Sequence, residues 1–198
     1  MLPALLVVLV IVTGVAVRVS QTGADSTLPP LNSDKASICG SDAGRPASGL
    51  SRERTRELIV CLHNERRDGH GLPALQYEAR LQTAAQRHAA DMVERRFFAH
   101  ETPEGLGPED RALNAGYPTR LYSSGENLAW GTGSEASPVE VVHGWMRSPG
   151  HRENILREAF THMGVGVTVG VPGEPGGSLP GATYAVSFGG PPVRGEAP

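Results

Sequence analysis

The two clearest β-patterned runs of this chain follow its helical stretches, and that order constrains the fold more than any other feature. Residues 163–171 (MGVGVTVGV) and 182–189 (ATYAVSFG) are β-branched or alternating, and the Gly/Pro-rich stretch 172–181 between them reads as a hairpin with a long connection. Four helical patterns precede them. From Arg52 onward Leu58, Cys61, Leu62 and Glu65 fall at helical spacing, and the pattern stops near Gly69, Gly71 and Pro73. A second helix is expected over 77–95, with Leu81, Ala84, Ala85, His88, Ala89 and Met92 on one face. Its alanines let it approach a neighbour closely. Residues 108–115 form a short helix ended by Gly116, and 138–147 a fourth with Val142, Trp145 and Met146 facing inward. Glu126-Asn127-Leu128-Ala129-Trp130 is a further strand. Helices first and strands later give an α+β domain, its helices packed on an antiparallel sheet.

The N-terminus speaks about compartment. Residues 2–17 are almost unbroken apolar, interrupted only by Thr13 and Gly14 and closed by Arg18, which reads as a secretory signal or an uncleaved anchor within residues 1–20. No Lys or Arg precedes the run and no A-x-A site follows it, so both forms stay open. Its length falls short of the roughly 20 residues a full span wants. Residues 21–50, rich in Ser, Gly, Asp, Ala and Pro, are expected to be a flexible linker, and 191–198 a disordered tail, leaving 51–190 as the folded domain. The two cysteines exclude a zinc ribbon or a knottin-like scaffold. An exported chain favours a Cys39–Cys61 disulfide. The alternative is a buried Cys61 and a free Cys39. A net charge of −3 offers no basic excess for nucleic acid, and membrane contact is expected only through the N-terminal run if uncleaved.

Seven histidines stand out in a chain that is only 5% aromatic. His63 reads as a hydrogen-bonded helix residue, His70 as a surface residue in a Gly-rich turn, and His88 as a satisfied core histidine. His143, between Val142 and Gly144, carries no clear reading. His100 follows a helix end in Phe97-Phe98-Ala99-His100. Glu126 follows Gly125, whose lack of a side chain lets the backbone come close. His151 follows Pro149-Gly150, read as a helix break that presents it on a turn. His162 stands at the start of a strand.

These residues carry a resemblance. Gly125-Glu126-Asn127-Leu128-Ala129, then Trp145-Met146-x-Ser148-Pro149-Gly150-His151-Arg152-x-Asn154-Ile155-Leu156, then Phe160-Thr161-x-Met163-Gly164-Val165-Gly166-Val167 resemble a bacterial member of the CAP superfamily of cysteine-rich secretory, antigen 5 and pathogenesis-related proteins. His63-Asn64-x-x-Arg67 with Gly71-Leu72-Pro73-x-Leu75, and Phe98-x-His100, resemble its first helix and first cleft histidine. The fold implied is a three-layer α-β-α sandwich with a central antiparallel sheet. Eukaryotic members line a cleft with two histidines and two glutamates. Here His100 fits the first histidine and Glu126 the first glutamate, whereas Ser148 and Ala159 stand at the other two positions. His151, or alternatively His162, is then expected to enter the cleft in compensation.

Three functions compete. An exported binding module would hold a divalent metal through His100, Glu126 and His151, zinc suiting imidazole and carboxylate donors, or would take a lipid- or sterol-like small molecule or another extracellular protein. A hydrolase would need Ser148 activated by a base or a metal-activated water, and no G-x-S-x-G or H-E-x-x-H motif is present. A structural or signalling domain would keep the cleft as a vestige. The binding module is the expectation, with hydrolysis second.

Overall fold

The computed structural model describes residues 38–118, 123–173 and 180–190. The apolar run 2–17, residues 21–37 of the linker and the tail 191–198 lie outside the described residues. Among the described residues five helices and four strands follow in the order α1 (Arg52–Asp68), β1 (Gln76–Tyr77), α2 (Ala79–Glu94), α3 (Pro108–Asn114), β2 (Ser123–Thr132), α4 (Pro138–Arg147), α5 (Pro149–Leu156), β3 (His162–Val169) and β4 (Gly181–Gly190).

The sheet runs β1-β3-β4-β2. The hairpin partners β3 and β4 are antiparallel, as are β2 and β4, but β1 joins β3 in parallel through Gln76 and Tyr77. The expected antiparallel sheet is therefore a mixed one. That short pairing also shortens the second helix. It starts at Ala79, where the Glu78 carboxylate accepts the backbone N–H groups of Arg80 and Leu81.

The alternation of β3 explains the three layers. Met163, Val165 and Val167 enter one core with Leu58, Ile59 and Leu62 of α1, Val142 and Trp145 of α4, and Tyr184, Val186 and Phe188 of β4. The opposite face of β3 carries Gly164 and Gly166, where a Cβ would overlap the backbone of Leu81, Gln82 and Ala85. Glycine there lets α2 lie directly on the sheet, with Ala85, Ala89 and Met92 meeting Leu128 and Ala185. Phe160 and Phe188 stack at 5.5 Å inside the larger core.

Cys39 and Cys61 are joined in a disulfide, with Cα atoms 5.7 Å apart. The linker expectation needs correcting at its C-terminal end. From Cys39 the chain is already part of the fold, and two 3-10 turns, Ser41–Gly44 and Ala47–Gly49, bury Ala43 and Ala47 in the main core. Small residues that read as linker composition are here the ones able to fit beneath α1. No helix among the described residues is long and apolar enough to cross a membrane.

Candidate functional site

Three elements converge on one buried carboxylate. β2 carries Glu126, whose side chain is 1% exposed. A buried carboxylate needs partners for both oxygens. His100, in the loop after α2, donates its Nδ1–H to Oε1 at 2.9 Å. Arg111, on α3, donates from Nη2 to Oε2 at 2.6 Å. The other guanidinium amine of Arg111 reaches the backbone carbonyls of His100 at 2.7 Å and Leu106 at 2.8 Å. One arginine thus holds the loop that carries His100 and the carboxylate that orients its ring. An ionised carboxylate only accepts, so Nδ1 of His100 carries a proton, and in the neutral ring Nε2 keeps its lone pair. The His100 side chain is 54% exposed, which opens that nitrogen to a ligand.

Neighbouring residues lock this arrangement. His88 donates Nε2–H to the carbonyl of Ala99 at 2.9 Å, tying α2 to the residue before His100. It is a buried core histidine, as expected, but only half satisfied, because its Nδ1 has no hydrogen-bond partner among the described residues, and burial holds its pKa below the usual imidazole value. On the other side Asn154 of α5 donates to the carbonyl of Glu126 at 3.1 Å and to Oδ1 of Asn127 at 2.9 Å, while Asn127 donates to the carbonyl of His151 at 3.0 Å. The Trp145 indole N–H donates to the carbonyl of Leu128 at 2.9 Å. These side chains help satisfy the outer edge of β2, which has no neighbouring strand among the described residues. Gly125 stands where a Cβ would meet the Phe160 ring at 2.8 Å and Asn154 Oδ1 at 3.0 Å.

His151 sits on a helix, not on a turn. Proline is tolerated at the first helical position, so Pro149 begins α5, and the break falls one residue earlier at the extended Ser148. Burial holds the His151 imidazole below its usual pKa, and His100, when protonated, acts in the same direction. His151 and Ser148 border a groove of about 310 Å³ that runs along α4 past Gly144 to Glu140 and Trp130. Ser148 precedes α5 without a side-chain cap hydrogen bond. The alternative His162 lies at the start of β3, its Nδ1 paired with the Thr161 hydroxyl at 3.0 Å and its ring edge-on to Tyr117. None of these contacts reaches His100, Glu126 or His151.

As zinc ligands the three expected residues fit only in part. His100 presents a free imidazole nitrogen, but both oxygens of Glu126 are engaged, one by a cation. Among the described residues no three His, Cys, Asp or Glu side chains stand together closely enough to hold a metal ion. Arg111 is the residue that sequence reasoning misses. A second groove, of about 430 Å³, lies between α1 and α2 and is bordered by Val60, Cys61, Tyr77 and Gln82 together with the charged Glu53, Arg56 and Glu57.

Comparison with known proteins identifies the family and the fold. The chain is 39% identical over 108 residues to the uncharacterized protein YkwD of Bacillus subtilis (strain 168), covering 54% of this chain and 40% of that one. It is 35% identical over 113 residues to the uncharacterized membrane protein YlbC of the same organism, covering 57% and 31%. It thus spans less than half the length of these relatives. Among solved structures, an extracellular protein containing an SCP domain from Bacillus anthracis superposes with a TM-score of 0.55 at 27% identity, covering 70% of this chain and 43% of that one. An outer surface protein of Borrelia burgdorferi superposes at 0.57 with 20% identity, covering 72% and 96%. The sequence profile of the cysteine-rich secretory protein family, CAP, matches residues 60–174, a span that contains His63, His100, Arg111, Glu126 and His151. With that match over more than half its length, and the α-β-α layers and motifs in the family's order, the chain belongs to the CAP family of cysteine-rich secretory proteins.

Proposed function

We propose that this protein is an exported binding module whose ligand meets His100 and His151 in the cleft beside β2. The observation that carries this reading is the chain of contacts Arg111–Glu126–His100, which desolvates an ion pair and ends on a half-exposed imidazole with Nε2 free. Burying an ion pair is costly, and it stabilises a fold no better than a well-packed apolar cluster would. Its position beneath an exposed imidazole supports a binding role. The apolar run 2–17 supports export, as does the similarity to an extracellular protein.

A divalent metal that accepts imidazole nitrogen, zinc above all, suits His100 and His151, with water or donors from a second molecule completing the shell. Glu126 then supports His100 from behind. Only two protein ligands make a weak site. A lipid-like small molecule is a second reading, favoured by the 430 Å³ groove between α1 and α2. Hydrolysis is less supported, because no G-x-S-x-G or H-E-x-x-H motif is present. Calorimetric titration of zinc into the chelator-stripped protein tests the metal reading. His100→Ala and His151→Ala should each weaken binding, and His70→Ala should leave it unchanged. No heat of binding from the parent at neutral pH would end the metal reading and leave the groove ligand.

A further inference from the structure

We infer that Arg111 is the positioning residue of the cleft. It holds Glu126 as the hydrogen-bond acceptor of His100 and thereby fixes which nitrogen of His100 faces a ligand. The inference rests on the reading of His100 as a ligand contact, and it goes further by saying what selects the ligand. Arg111 is 10% exposed at its side chain and Glu126 1%, so the pair is withdrawn from water while His100 is not. Its fork reaches Glu126 Oε2 at 2.6 Å and, from the other amine, the carbonyl of His100 at 2.7 Å. His100 is therefore pinned at two points by one side chain: at its main chain directly, and at its ring through Glu126. A lysine, a point charge on a flexible stem, does not reproduce that fork.

Two consequences follow. His100 is the Nδ1–H tautomer, with the Nε2 lone pair outward. Glu126, buried from solvent and held on the Arg111 cation, is withdrawn from calcium or magnesium, which require oxygen donors. The cleft is left to cations that accept imidazole nitrogen. Arg111→Gln removes the charge and frees Oε2, so it should lower the Nδ1–H fraction of His100 and admit an oxygen-seeking cation. Loss of a carboxylate's support behind a ligating imidazole costs roughly 10–100-fold in metal affinity, and zinc binding should weaken by that factor.

The test is nitrogen-15 NMR of the histidine rings in the full chain at pH 8, where free imidazole is neutral, with zinc and calcium titrations alongside. The parent spectrum needs no variant to fold. A predominantly Nδ1–H signal for His100 supports the inference, and an Nε2–H signal overturns it. In Arg111→Gln a mixed tautomer with weakened zinc binding supports it, as does only partial recovery in Arg111→Lys. An unchanged tautomer in a folded Arg111→Gln overturns it. If the parent binds no zinc yet its tautomer depends on Arg111, the positioning role stands and the metal reading alone fails.

Discussion

Arg67 and Arg111 are both withdrawn from water, and they use their charge in different ways. Arg67, near the C-terminus of α1, is 1% exposed and bonds to four carbonyls: Pro73 at 2.8 Å, Ile155 at 2.9 Å, Arg157 at 3.0 Å and Phe160 at 3.1 Å. Burial pulls its pKa below the usual guanidinium value. It fastens the turn after α1, the end of α5 and the approach to β3 at one point. Arg111 instead pairs with a carboxylate beneath a half-exposed imidazole. A planar cation surrounded by carbonyls holds chain ends together. The same cation on a carboxylate holds the group that accepts from a half-exposed imidazole.

Breaking the first region should cost more stability than any change in the second. Arg67→Met leaves four carbonyls without their donor, each worth about 1–3 kcal/mol when buried. A total loss of about 4 kcal/mol or more is expected in denaturant unfolding at pH 7, since four unpaired acceptors at the low end of that range already reach it. The fraction still folded should bind zinc as the parent does.

His63, one turn before Arg67, sharpens the contrast through pH. Its Nδ1–H donates to the carbonyl of Ile59 at 2.7 Å, and its ring packs against Trp145 and Phe188. Burial, with a smaller contribution from the charge of Arg67, lowers its pKa from 6.5 to about 4. As pH falls through 6.5 the unfolded chain takes up a proton that the folded chain refuses. The contribution of His63 to stability should therefore decline between pH 6.5 and about 4 and level off below. A shift of this size corresponds to roughly 3 kcal/mol. A flat unfolding free energy across that window would contradict the burial of His63.

The disulfide secures the same helix from its outer side. Opening Cys39–Cys61 by Cys39→Ser with Cys61→Ser should cost about 3 kcal/mol in the chain-entropy model, read as a lower denaturation midpoint. The smallest stability effect is expected in the second region. His100→Ala removes a half-exposed ring and leaves Glu126 on Arg111, so about 1 kcal/mol or less should be lost while zinc affinity collapses.

Most of the fold was legible because periodicity reports which face is buried. Met163, Val165 and Val167 alternating with Gly164 and Gly166 announced β3, although the reason for the glycines, the backbone of α2 lying against them, is a long-range fact. The parallel pairing of Gln76 and Tyr77 with β3 was not legible, since two residues carry no pattern. Pro149-Gly150 misled because proline both ends helices and begins them, and only the extended backbone of Ser148 decides which. The motifs name His100 and Glu126 together, and the fold brings their side chains into contact. Arg111 was not legible, because an arginine on a short helix reads as solvated, and its partner lies 15 residues away on a strand.

The most direct test of a cleft that binds through imidazole is anomalous scattering at the zinc edge from crystals of the protein soaked in zinc. The account predicts a peak about 2.0–2.1 Å from His100 Nε2, with His151 as the second ligand and Glu126 still paired to Arg111. A peak on the oxygens of Glu126 with Arg111 displaced, or peaks only at exposed histidines such as His70, would contradict it.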